Sequence, residues 1–145
     1  YAMGTSLQRA ASTPDFYTRG EAFGITGAVV DGMDVLAVKA AGELAVAHCR
    51  AGNGPYVLEV KTYRYRGHSM SDPARYRSKE EVKKVKDNED PIDMIKEMLT
   101  QGGHATLDDL KKIDKEIKKI VQESADFAIV SPEPDLSELY TDILV

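Results

Sequence analysis

"GITGAVVDGMDVLAVKAAGELAVAHCRAGNGPYVLEVKTYRY", residues Gly24 to Tyr65, changes its hydrophobic period twice. A short apolar run bounded by glycines around Ala28 to Val30 reads as a brief interior strand. From Met33 the apolar residues Val35, Val38, Ala41, Ala45 and Cys49 recur every three or four positions, the stripe of a buried helix face, with Asp34 as its N-cap. Arg50 in the last turn and Gly52 beyond it supply a charge and a terminator, so the helix is expected to stop near residue 51. Past Pro55, β-branched and aromatic residues return, with Tyr56, Leu58 and Val60 on one face of a second strand. Strand, crossover helix and strand make the connection that parallel pairing requires.

The second strand runs into "YRYRGHSMSDPARYR", Tyr63 to Arg77. In an open α/β sheet ligands bind beyond the carboxyl ends of strands, which is where this stretch leaves the sheet. Gly67 permits a tight bend, the imidazole of His68 donates or accepts near neutral pH, and Ser69 and Ser71 offer local hydroxyl hydrogen bonds. Arg64, Asp72, Tyr76 and Arg77 are placed to bridge the two ends of the loop through charged hydrogen bonds. On spacing alone His68 reads either as a functional imidazole or as a solvated loop side chain.

Beyond Arg77 the texture is helical. Ser78 and Glu81 read as a capping box, with Val82 and Val85 facing inward. Asp90 caps a helix that has Pro91 at its first position and Ile92, Ile95 and Leu99 along one side, ended by Gly102 and Gly103. Thr106 and Asp109 open a long helix whose seam is Leu107, Leu110, Ile113, Ile117, Ile120, Ser124 and Phe127. Its lysines 111, 112, 115, 118 and 119 are interleaved with acids and read as a solvated face. "SPEPD" breaks the pattern, and "LSELYTDILV" is an amphipathic tail suited to packing. Upstream, Tyr1 to Gly20 reads as an opening loop with a short helical turn, interrupted at "STPD".

Two strands cannot build a buried parallel sheet, which needs neighbouring strands and both faces covered. The chain is therefore expected to be the carboxyl-terminal part of a larger α/β domain. Residues 1–77 belong to the α/β part, including the loop 64–77, and residues 78–145 form a helical extension.

Bulk properties narrow the function. A length of 145 residues with 42% hydrophobic and 30% charged residues is a globular balance. A net charge of -5 argues against a nucleic-acid partner, which is held mainly by Lys and Arg on phosphates. No apolar run is long enough to span a bilayer, so no membrane partner is expected. Cys49 cannot form an internal disulfide and is expected to pack in the helix stripe. No phosphate-cradling glycine motif, nucleophile elbow or repeated Cys/His spacing is present.

Taken together, "YAMGTS", "VDGMDV", "GPYVLEVKTYRYRGHSMSDPARYRSKEEV" and "SPEPDLSELYTDIL" resemble alpha subunits of the pyruvate-decarboxylating component of pyruvate dehydrogenase complexes, in order and over essentially the whole chain. Ser131, where that family usually carries an acid, is a departure outside the loop. The resemblance implies a thiamin diphosphate-binding fold, of which this is the C-terminal part. It also implies an alpha2beta2 assembly with a beta subunit, pyruvate as substrate, and acetyl transfer to the lipoyl domain of the dihydrolipoyl acetyltransferase. It makes His68 the catalytic-loop histidine that helps position the cofactor. Tyr1 becomes a cofactor-binding residue whose main-chain carbonyl is a ligand of Mg²⁺, the remaining ligands lying in a Gly-Asp-Gly to Asn-Asn signature that precedes the matching tyrosine. Ser69 and Ser6 match phosphorylation sites of mitochondrial relatives. The one-residue-shorter "DPARYR" is closer to bacterial ones, implying a cytoplasmic location, or the mitochondrial matrix for a eukaryotic source. Branched-chain 2-oxo acid and acetoin dehydrogenase alpha subunits are the alternatives within the same chemistry; a non-catalytic interaction module is the alternative outside it.

Overall fold

The computed structural model describes residue 1 and residues 3–143, so Leu144 and Val145 of the amphipathic tail lie outside the described residues. The chain divides into two compact units, Tyr1–Glu97 and Met98–Val145.

In the first unit, a short helix α1 (Leu7–Ala10) and a 3₁₀ helix (Phe16–Phe23) precede β1 (Thr26–Asp31), α2 (Val35–Arg50) and β2 (Tyr56–Lys61). The two strands pair in parallel, from Thr26 opposite Tyr56 to Asp31 opposite Lys61. The predicted strand–helix–strand unit is thus present. Helix α2 starts where Asp34 accepts hydrogen bonds from the Leu36 and Ala37 amides, both at 2.9 Å. It stops at Arg50, and Gly52 and Gly54 follow with φ of 78° and 90°, a region that favours glycine.

The 3₁₀ helix extends beyond the short turn expected before Gly20. It packs beside β2: the Tyr17 amide donates to Glu59 Oε2 at 3.0 Å, and the Asp15–Lys61 ion pair closes at 2.6 Å. Gly20 permits that approach, since a Cβ there would sit 3.0 Å from Val57 Cγ2 and 3.1 Å from the Ile25 carbonyl. Gly32, between β1 and α2, is equally constrained; a Cβ would lie 2.7 Å from the Lys61 carbonyl and from Val60 Cγ1.

Among the described residues no apolar side chain is fully buried, and Gly20 alone falls in the buried class. Val29 and Val60, on the paired strands, remain 41% and 42% exposed. This corrects the expectation for the α2 stripe. Val38, Ala41 and Ala45 are half-buried, whereas Val35 and Cys49 are exposed, in keeping with a sheet of only two strands to cover the helix face.

Helix α3 (Lys79–Asn88) realises half of its predicted box. Ser78 Oγ accepts from the Glu81 amide at 3.0 Å, but the Glu81 carboxylate takes the Tyr63 hydroxyl at 2.8 Å. Helix α4 (Pro91–Gln101) starts on Asp90, which accepts from the Ile92 amide at 2.9 Å. Ile95 and Leu99 are half-buried, while Ile92 is exposed in the first turn.

The second unit is dominated by α5 (Leu107–Val130), whose N-terminus forms the complete predicted box between Thr106 and Asp109. Lysines 111, 112, 118 and 119 pair with acids three or four residues away along the helix. Ser131 ends the helix, and a 3₁₀ turn (Leu136–Tyr140) follows, capped by Asp135 on the Ser137 amide at 2.8 Å.

Candidate active site

Residues 62–78 leave the carboxyl end of β2 and fold back on themselves. The alternation of the strand persists past Lys61: Tyr63 and Tyr65 are half-buried, while Arg64 and Arg66 are exposed. The tyrosines fasten the loop base, Tyr63 to Glu81 at 2.8 Å and Tyr65 to Asp90 at 2.9 Å. Burial, then these hydrogen bonds to carboxylates, raise both phenol pKa values.

Arg77 closes the loop. Its guanidinium donates to the Arg64 carbonyl and, at 2.8 Å, to the Tyr65 carbonyl, and it lies 5.0 Å over the Tyr63 ring. One planar cation therefore holds the exit of the loop against its entrance.

Asp72 organises the tip. Its Oδ2 accepts from the His68 amide at 3.0 Å and the Tyr76 hydroxyl at 2.8 Å and contacts His68 Nδ1 at 3.0 Å, while Oδ1 accepts from the Ala74 amide at 2.8 Å. The Asp72 side chain is 6% exposed, against 39% for His68. The His68 hydrogen bond, then the Ala74 and His68 amides, then Tyr76, hold the Asp72 carboxyl well below the usual carboxylate range. The same contact raises the Tyr76 phenol. Gly67 makes the arrangement possible, because a Cβ there would meet Asp72 Oδ2 at 2.7 Å and its Cγ at 2.8 Å. Ala74 adopts φ 51°, a left-handed conformation that costs a residue with a side chain about 1–2 kcal/mol.

These contacts fix the imidazole at one end. With Asp72 on Nδ1, the neutral ring carries its proton there and leaves Nε2 as an acceptor; protonation makes Nε2 a donor. The backbone carbonyl of His68 accepts from Arg64 Nη2 at 3.2 Å, which ties the ring's own residue to the loop base.

A small recess lies beside this cluster, lined by Tyr1, Tyr63, Arg64, Arg66, His68, Tyr76 and Arg77. The Tyr1 ring sits 5.0 Å from that of Tyr76, so the first residue packs against the loop. Arg77 Nε is buried and has no partner among the described residues. Three guanidinium groups and an orphaned N–H suit an anion with several oxygens, such as a diphosphate. A divalent cation is a different matter: among the described residues no group of three His, Cys, Asp or Glu side chains could hold one, and a single Tyr1 carbonyl is far short of octahedral coordination.

Of the remaining expected residues, Ser69 and Ser71 share a 3.1 Å contact on the exposed outer side of the tip. Ser6 precedes α1 and does not line the recess. Arg66 and Tyr63 were not singled out as site residues from the sequence, although the Tyr-Arg-Tyr-Arg alternation carried the signal for both.

The sequence pattern described as "Dehydrogenase E1 component" matches residues 1–137. The chain belongs to the dehydrogenase E1 component family. This family is thiamin diphosphate-dependent, and the strands and helices described above are a partial α/β E1 fold with a helical part. Over all 145 residues the E1 chain is 63% identical to the pyruvate dehydrogenase E1 component subunit alpha of Rhizobium meliloti, covering 42% of that protein. It is 55% identical to the protein of that name from Zymomonas mobilis, covering 41% of it. Over 140 residues, 96% of the chain, it is 47% identical to the somatic mitochondrial form of Homo sapiens and covers 35% of that protein. The E1 chain thus spans about two fifths of the length of the curated relatives named first. Among its described residues no helix is long and apolar enough to cross a membrane.

Proposed function

We propose that this chain is part of the alpha subunit of a pyruvate dehydrogenase, which decarboxylates pyruvate oxidatively and passes the acetyl group to lipoyl groups of a dihydrolipoyl acetyltransferase. The observation that carries the reading is the arginine-lined recess at the carboxyl end of β2, with an Asp72-oriented histidine at its rim, in a chain 63% identical to a protein of that name.

In this reading Arg64, Arg66 and Arg77 neutralise the diphosphate of thiamin diphosphate, and Tyr1 packs on Tyr76 to wall the recess. Bound there, thiamin diphosphate would supply the carbanion and electron-sink chemistry that decarboxylation of a 2-oxo acid needs. His68 is an assistant. Held through Nδ1, it presents Nε2 to hydrogen-bond anionic oxygens near the cofactor and to carry a proton at that nitrogen during transfer to the lipoyl group. Tyr1 would offer one main-chain carbonyl to Mg²⁺, and the other ligands would have to come from outside these residues. The 145 residues alone are therefore expected to be inactive.

The alpha-subunit reading implies a beta subunit in an alpha2beta2 assembly and a lipoyl domain that reaches the loop from outside. The subdivision into an α/β part, residues 1–77, and a helical extension, residues 78–145, belongs to the same reading, as does a cytoplasmic location in a bacterium or a matrix location in a mitochondrion. A phosphate on Ser69 would place two negative charges beside the Asp72 cluster and oppose the loop's order. Ser6 is a second acceptor for the same modification.

The decisive experiment reconstitutes the full-length alpha subunit with its beta subunit and compares turnover of pyruvate, 2-oxoisovalerate and acetoin. Preference for pyruvate, with lipoyl acetylation reduced at least tenfold in His68→Gln, is the expected result. Preference for either other substrate would assign the chain to the corresponding relative, and full activity in His68→Gln would remove the histidine from the mechanism.

A further inference from the structure

The hydroxyl of Tyr65 reaches a carboxylate 25 positions downstream, and that carboxylate already has a task. Asp90 divides its two oxygens. Oδ1 accepts from the Ile92 amide at 2.9 Å and the Asp93 amide at 3.4 Å, which starts α4, while Oδ2 accepts from Tyr65 at 2.9 Å. The Tyr65 hydroxyl, ahead of the two helix amides, holds the Asp90 carboxyl below its ordinary range, so the acceptor is an anion and the bond is charge-assisted.

The position of Tyr65 gives this bond a consequence for the recess. Tyr65 does not line it, whereas its chain neighbours Arg64 and Arg66 do, as does Arg77. In the alternation that persists past β2, Tyr65 is turned inward and both neighbours outward, so holding its ring limits how the two flanking arginines leave the chain. The third guanidinium depends on the same residue. Arg77 Nη2 donates to the Tyr65 carbonyl at 2.8 Å, and the group lies 5.0 Å over the Tyr63 ring, itself 6.3 Å from the ring of Tyr65. Tyr65 thus bears on all three cations without facing the anion they suit, and every contact in this relay is made within the first unit. A guanidinium that is already aimed loses less rotamer freedom when an anion arrives, so such an anchor shows in affinity.

We propose that Tyr65 and Asp90 are positioning residues of the recess: the carboxylate that caps α4 holds the Tyr65 ring, and through it the aim of Arg64, Arg66 and Arg77 toward a diphosphate. This rests on the diphosphate reading of the recess and adds to it two residues that do not line the recess themselves.

The test uses the full-length alpha subunit assembled with its beta subunit and two variants that separate the anchor from the helix cap. Tyr65→Phe keeps the ring and removes the hydroxyl. Asp90→Ser keeps a capping oxygen for α4 but is too short to hold the phenol. Each should raise KM for thiamin diphosphate at least fivefold, with kcat at saturating cofactor falling by less than KM rises. Inorganic pyrophosphate should weaken as a competitor of the cofactor by a similar factor. The double variant should be no worse than the poorer single one, as the two ends of one bond require. A lowered melting temperature with an unchanged cofactor KM in both variants would overturn the proposal, and so would fully additive losses in the double variant. Arg64→Ala and Arg77→Ala tell the two layers apart. If they weaken cofactor binding while Tyr65→Phe and Asp90→Ser do not, the positioning role alone falls; if they leave it unchanged, the diphosphate reading falls and the positioning role with it.

Discussion

Substituting Gly67 by alanine tests whether the Asp72 cluster orders the loop. The added Cβ would lie 2.7 Å from Oδ2, 2.8 Å from Cγ and 2.9 Å from Cβ of Asp72. These separations are well inside van der Waals contact. Asp72 has little room to yield, because its carboxylate is engaged by His68, Ala74 and Tyr76 and its side chain has only two rotatable bonds. Overpacking of this kind costs about 1–3 kcal/mol, which corresponds to a roughly 5- to 150-fold change in the ratio of ordered to opened loop. Native-state hydrogen exchange reads that ratio directly at the His68 and Ala74 amides, the two that donate to Asp72. Both should exchange faster by that factor in Gly67→Ala, while amides of the β1–β2 ladder keep their rates. Unchanged protection at His68 and Ala74 would refute the claim that Asp72 holds the tip.

Gly42→Ala, in the middle of α2 with nothing within 4 Å of the new Cβ, is the same substitution with the opposite sign; it should stabilise the first unit by about 0.5–1 kcal/mol in thermal or denaturant unfolding. Ala74→Gly should slow exchange at the tip by relieving the positive φ, with a net gain under about 1 kcal/mol once the added freedom of the open loop is set against the strain removed. The depressed Asp72 carboxyl stabilises the loop above its unfolded pKa near 3.9, and that contribution is lost as pH falls through the lower folded value. Tyr76, raised chiefly by its hydrogen bond to Asp72, contributes below its unfolded pKa near 10 and loses the contribution as pH rises through the higher folded value. Tip protection measured across pH should therefore fall at both extremes, and Tyr76→Phe should remove a late-titrating phenol from the ultraviolet titration.

What the sequence revealed follows the range of the forces involved. The strand–helix–strand unit and every long helix were legible because period and capping are local: Asp34, Ser78, Asp90 and Thr106 each act on amides within three residues. Periodicity identified the apolar face of α2 but could not say how far it is covered, hence the misplacement of Val35 and Cys49. The 3₁₀ helix escaped because its anchors are distant in sequence, Tyr17 to Glu59 and Asp15 to Lys61. In the loop, residue types pointed to His68, Asp72, Tyr76 and Arg77, yet their pairing depended on a bend at Gly67 and an unusual φ at Ala74. The half-formed box at Ser78 has the same origin, since Glu81 had a better partner in Tyr63, eighteen positions upstream.

The guanidinium of Arg77 joins residues twelve and thirteen positions apart, turning the intervening segment into a closed ring whose base Tyr63 and Tyr65 fasten to Glu81 and Asp90. Such a ring can be lengthened, shortened or rebuilt at its far side without transmitting the change to the strands. Grafting a tip from a longer relative between Ser69 and Ala74 should therefore leave the scaffold's melting behaviour intact, making this segment a replaceable cassette through which evolution, or an engineer, can alter control without renegotiating the fold.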